Sequence, residues 1–108
     1  MTDSETPPAY EFTAEVWVFG GKATWYFVTL PYDVADEIEA ATDGSSRAFA
    51  SKRVRVTVGA TAWETSIFAS KRKASYLLPL KADVRRKEEL DEGDVVTVRL
   101  EVEARAGT

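Results

Sequence analysis

Three consecutive cations, Lys71, Arg72 and Lys73, stand in the stretch SKRKAS from Ser70 to Ser75 with no acid among them. Such residues hold phosphate or carboxylate groups through charge-assisted hydrogen bonds. Arg85, Arg86 and Lys87 follow further on and are the other candidates for the same chemistry. Little else in the chain suits catalysis. It has no His and no Cys, so the commonest general base and the nitrogen and sulfur metal ligands are missing. A Ser or Thr nucleophile would need a Lys or carboxylate base, and no spacing points to one. The carboxylates Asp36, Glu37 and Glu39, and Glu88, Glu89, Asp91 and Glu92, read as solvated faces and exits of short helices in preference to a glycosidase or magnesium site. Gly20 and Gly21 are followed by a strand instead of a helix, so they form no phosphate loop. A non-catalytic protein without metal or cofactor is expected.

The 108 residues, 44% of them apolar, fit one domain with a single modest core, which no disulfide can reinforce. Residues 1–9 are polar and acidic and carry Pro7 and Pro8, as expected of a disordered lead-in. The domain should run from 10 to 104, with 105–108 a frayed tail. The lead-in has neither the basic start nor the apolar run of a signal peptide, and no segment nears the ~20 apolar residues that cross a bilayer, so a cytoplasmic location without membrane contact is expected. The net charge of −4 conceals an asymmetry. Between Arg47 and Lys87 eleven cations face two acids, whereas the flanks carry three cations and sixteen acids. A polyanion partner is therefore not excluded by the acidic total.

The elements that must position these residues are mainly β. YEFTAEVWVF alternates, with Tyr10, Phe12, Ala14, Val16 and Val18 on one side. Gly20 and Gly21 are predicted to supply positive φ angles in a two-residue turn, and ATWYFVTL returns. That register pairs Val16 with Trp25 and Ala14 with Phe27. After Leu30-Pro31 the period becomes helical, with Val34, Ala35, Ile38 and Ala41 on one stripe, Asp33 as N-cap and Asp43-Gly44 as the stop, giving a helix over 33–41. SSRAFAS is a loop whose Phe49 should plug the core. In KRVRVTVGATAWETSIF, a turn at Gly59-Ala60 pairs Val58 with Thr61, Val56 with Trp63 and Val54 with Thr65, and on the other face sets Arg55 opposite Glu64. A fifth strand SYLLPL, a helix over 83–89, the turn Glu92-Gly93-Asp94 and a sixth strand VVTVRLEVEA complete the chain. VTLPYDVADEIEA and YLLPLKADVRRKEEL echo one another. The order β-β-α-β twice over predicts a small closed six-stranded β-barrel with two short helices.

Placed on these elements, the cations disperse. Arg53 and Arg55 lie on an outer strand face, with Arg55 partly neutralised by Glu64; Lys71 to Lys73 open the fifth strand; Arg85 to Lys87 lie beyond its other end, roughly 20 Å away at about 3.3 Å per residue. Asp83 with Lys87, and Arg85 with Glu89, can pair along the helix. Trp25, Phe27 and Trp63 fall on predicted core faces. Trp17 and Tyr26 project oppositely, and the loop from Arg47 to Ser51 is expected to cover them.

VRVTVGATAWETSIF at 54–68, SYLLPLKADVRR at 75–86 and EGDVVTVRLEV at 92–102 together resemble the bacterial domain of unknown function 1905 family, with a weaker likeness over YEFTAEVW and FVTLPYDVADEI. The resemblance implies a small closed β-barrel, found alone or joined to a helical domain associated with bacteriocin-protection naming, and it carries no catalytic residues. LPLKADVRRKEELDEGDVVTVRL is also similar to the strand, basic helix and Gly-Asp turn of swapped-hairpin transcription factors, which dimerise and bind DNA. That likeness is read first as kinship of fold, because Gly93 permits the turn and Asp94 can accept its backbone N–H groups.

The leading expectation is a non-catalytic small β-barrel that binds a small anionic ligand or a protein partner, with Lys71, Arg72, Lys73 and Arg85 as contacts. The alternatives are a nucleic-acid-binding dimer and a structural or interaction module without a ligand.

Overall fold

The computed structural model describes residues 9–20, 24–41, 51–70 and 73–103. Their element order is β1 (Ala9–Glu15), β2 (Trp17–Phe19), β3 (Trp25–Thr29), α1 (Tyr32–Ala41), β4 (Lys52–Val58), β5 (Thr61–Ser70), β6 (Ser75–Pro79), α2 (Ala82–Glu88) and β7 (Val95–Val102). Among the described residues the seven strands form one antiparallel sheet in the order β1-β7-β4-β5-β6-β3-β2. It curls into an open half-barrel, not the closed six-stranded barrel expected from the sequence. The reason lies at Val16. Its amide donates to Asp94 O and its carbonyl accepts from Gly93 N, both at 2.8 Å. The residue that would carry the first strand on is thus engaged by the turn before β7, and one predicted strand becomes two, each at an edge of the sheet.

Strand β5 does unbroken what β1 and β2 do across that bend. Its residues 61–67 pair with β4 and its residues 68–70 with β6. Apart from the split strand, the elements follow the β-β-α-β order twice, as the internal echo predicts.

Alternation explains most of the core. Val54, Val56 and Val58 on β4 and Val96, Val98, Leu100 and Val102 on β7 are buried, while Arg53, Arg55, Thr97 and Arg99 between them face outward. Each such Val or Leu contributes roughly 1.5–3 kcal/mol relative to exposure. The β4–β5 register is the one predicted, with Val58 opposite Thr61, Val56 opposite Trp63 and Arg55 opposite Glu64. Helix α1 packs on β6 through the predicted stripe, Val34, Ala35 and Ile38 being buried, and α2 lies against β5 with Val84 buried. Neither helix is long and apolar enough to cross a membrane.

The β2–β3 register differs from expectation. Trp17 lies opposite Phe27, Val18 opposite Tyr26 and Phe19 opposite Trp25. The connection therefore spans five residues, 20–24, in place of the two-residue Gly20-Gly21 turn, and Gly20 has no positive φ. Because the shift is odd, faces exchange: Trp25 and Phe27 point outward with Trp17 and Phe19, and Tyr26 packs against the core. Helix α1 starts at Tyr32, so Asp33 lies in its first turn and is not the N-cap. The lead-in before Ala9, the stop at Asp43-Gly44, the Phe49 plug and the cover expected from residues 47–50 lie outside the described residues.

Candidate functional site

The outward side of the sheet divides into two halves of different chemistry. On β1, β7, β4 and the start of β5 it is polar, with Glu11, Thr13, Glu15, Thr97, Arg99, Arg53, Arg55 and Glu64 exposed. Opposite charges meet there: Glu64 lies 3.6 Å from Arg55 and 3.9 Å from Arg53, and Arg99 is 3.5 Å from Glu101. Those arginines are thereby partly neutralised, as predicted for Arg55.

On β2, β3, β6 and the end of β5 the outward side is aromatic. Cross-strand pairing places Trp17, Phe27 and Pro79 in one line and Thr29, Leu77 and Phe68 in the next. Phe19, Trp25 and Phe68 are 58%, 54% and 47% exposed, whereas large side chains normally avoid water unless something covers them. The ring centroids of Trp17 and Phe27 are 5.2 Å apart, and those of Trp25 and Phe27 6.4 Å apart with nearly parallel planes. Trp17 is held in place by its indole N–H, which donates to Thr29 Oγ1 at 2.8 Å.

Two of the four cations assigned to ligand binding can be placed. Lys71 and Arg72 lie outside the described residues. Lys73, exposed, precedes β6, and its ammonium sits over the Trp17 ring at 4.5 Å from the centroid. Arg85 is held by α2 at the opposite end of β6. Its Nε donates to Leu80 O at 3.2 Å and its guanidinium lies 3.7 Å from the centroid of Tyr26. Lys73 and Arg85 do not share a contact, since Trp17 faces outward and Tyr26 inward. The predicted helical pairs also differ. Asp83 pairs with Arg86, and Glu89 is the C-cap of α2 with a left-handed backbone at φ 55°, with no ion pair to Arg85.

Arg85 borders a groove of about 210 Å³ where β3 begins and β6 gives way to α2, lined also by Trp25, Tyr26, Pro79, Leu80 and Lys81. Among the described residues no carboxylate lies within ion-pairing distance of Arg85, Lys81 or Lys73. The volume is below the ~300–1,000 Å³ of sites that enclose a drug-sized ligand. The outward turn of Trp25 and the place of Lys81 beside it were missed from sequence. The first follows once the β2–β3 register is even, because only an even register puts the four rings at 17, 19, 25 and 27 on one side; the second follows from the β3–β6 register, which sets Phe27 opposite Pro79.

Tyrosines beside α1 offer no base. Burial, and secondarily the hydrogen bond that its hydroxyl donates to Glu39, push the Tyr76 phenol well above the ordinary tyrosine value. Burial first, and then the charge of Glu37, raise Tyr10. Both are favoured in the protonated form, and Tyr76 ties β6 to α1 as a donor to Glu39. Among the described residues no group of acidic side chains could hold a metal ion.

The family model described as Domain of unknown function (DUF1905) matches residues 12–100. No curated protein matches the chain.

Proposed function

The chain belongs to the DUF1905 family, whose description names no activity, and on that footing we propose that it is a non-catalytic binding module for an anionic group carried on a planar ring. The anion enters the groove between Arg85 and Lys81, and Trp25 offers its face to the ring. One observation carries this reading: Arg85 is held by Leu80 O and the Tyr26 ring without any described carboxylate to neutralise it. A cation fixed by neutral partners keeps its charge for a ligand and loses little side-chain entropy on binding. The missing His and Cys, and tyrosines pushed toward their protonated form, support binding without catalysis.

Titration with phenyl phosphate, followed by NMR, tests the reading. The Arg85 Nε–H and Trp25 indole resonances should shift together and saturate, and inorganic phosphate should move Arg85 more than Trp25. Lys81→Ala, an exposed change, should weaken binding without altering the fold. Shifts confined to Arg53, Arg55 and Arg99 would remove the groove from the site.

A further inference from the structure

The groove is one end of a longer feature. From Lys73 a row of rings runs through Trp17 and Phe27 to Trp25, with links of 4.5, 5.2 and 6.4 Å, and Trp25 itself lines the groove that holds Lys81 and Arg85. Cations stand at both ends and aromatic faces between them. None of the 18 Asp and Glu residues of the chain falls on β2, β3 or β6. Among the described residues the acids lie on β1, β7, the helices and the turns, with Glu64 near the start of β5, where it pairs with Arg53 and Arg55.

We propose that the outward side of β2, β3, β6 and the end of β5 is a platform for single-stranded nucleic acid. Bases stack along the row of Trp17, Phe27 and Trp25, with Lys73 leaving the Trp17 ring for a phosphate at one end and Lys81 and Arg85 meeting phosphate in the groove that Trp25 borders at the other. This rests on the anion groove and extends it. Two requirements of such a platform coincide here. Base stacking needs ring faces on a rigid support, and four-stranded sheets that display aromatics take two or three bases in this way. Phosphates need cations without acidic competitors, and no Asp or Glu lies on β2, β3, β6 or the last three residues of β5. A partner of purely apolar surface would desolvate Lys73 and Lys81 without compensation, whereas a single strand alternates planar rings with anions as the row does.

The test uses the full chain and a short fluorescein-labelled oligothymidylate, read by anisotropy. Binding should fall with salt at a log–log slope of about −2, from roughly −0.7 for each of three phosphates. Trp25→Ala should lower affinity by roughly 5- to 150-fold, the worth of one stacked base. Lys73→Ala, outside the groove, should weaken binding and flatten the slope by about 0.7. Tyr32→Ala, exposed on α1, should change nothing. Unchanged anisotropy overturns the proposal, as does wild-type binding by Lys73→Ala and Trp25→Ala together. If phenyl phosphate still shifts Arg85 in that sample, the groove stands without the platform, and the face is left to a protein or a second copy. If neither probe binds, both readings fall.

Discussion

Glu88 Oε2, on α2, accepts the hydroxyl proton of Thr61 at 2.6 Å, and the same oxygen takes the Ala60 amide at 3.3 Å. One carboxylate thereby ties the second helix to the tip of the β4–β5 hairpin, 27 residues back along the chain. Hydrogen bonds to a charged group are worth about 1.5–3 kcal/mol, and this one is partly solvated, so the lower end applies. Glu88→Ala should cost about 1–2 kcal/mol in urea unfolding.

The same contact makes Gly59 sensitive. Its φ is +60°, and an added Cβ would run into Glu88 Oε1. Gly59→Ala must therefore displace the Glu88 carboxylate as well as adopt a left-handed backbone, which by itself costs roughly 1–2 kcal/mol. In a Glu88→Ala background only the backbone cost remains. The double mutant should be more stable than the sum of the single changes implies, and strict additivity in the cycle would show that the tie does not exist in solution.

Gly93 and Gly20 separate backbone strain from crowding, because neither has a heavy atom within 4 Å of an added Cβ. Gly93 has φ +94° in the turn whose amide bonds Val16 O, whereas Gly20 has no positive φ. Gly93→Ala should destabilise by about 1–2 kcal/mol, and Gly20→Ala should stay within about 0.5 kcal/mol of wild type. Equal costs would contradict the five-residue β2–β3 connection.

That connection is where the residue pattern and the fold part company. The β4–β5 hairpin was legible because burial of Val54, Val56 and Val58 and the Arg55–Glu64 pairing demand one register. Strand β7 and the helix stripes were legible for the same reason of period. Between β2 and β3 every candidate residue is apolar, so alternation could not tell inner from outer, and Gly20-Gly21 suggested the shortest turn. The bend at Val16 has no local signal at all, since it depends on Gly93 and Asp94, far along the chain. Of the candidate site, the cations Lys73 and Arg85 were visible as types; their rings, Trp17 and Tyr26, required the true register.

Tyr76 should make the protein sensitive to alkali. Its folded pKa is raised, first by burial and then by Glu39, so the neutral phenol is the form the fold favours. The stability it contributes is complete below the unfolded value of about 10 and is lost as pH rises above that toward the folded value. Tyr10 acts in the same direction. Thermal unfolding should therefore weaken above pH ~10, and Tyr76→Phe should flatten this decline while costing about 1–2 kcal/mol at neutral pH for the lost bond to Glu39. A decline of the same steepness in Tyr76→Phe and wild type would assign the alkaline loss elsewhere.

Tyr26 decides whether Arg85 is presented or merely present. The guanidinium lies 3.7 Å from the ring centroid, a contact of the π face that does not require the phenolic hydroxyl. Tyr26→Phe keeps that face, and phenyl phosphate should bind within about twofold of wild type. Tyr26→Leu keeps an apolar side chain and removes the face. With a partly desolvated cation–π contact worth about 0.5–2 kcal/mol, affinity should drop by roughly 2- to 30-fold, and the Arg85 Nε–H resonance should broaden as the side chain loses its seat. Equal binding by the Phe and Leu variants would mean that the Leu80 carbonyl alone orients Arg85, and that the ring has no positioning role.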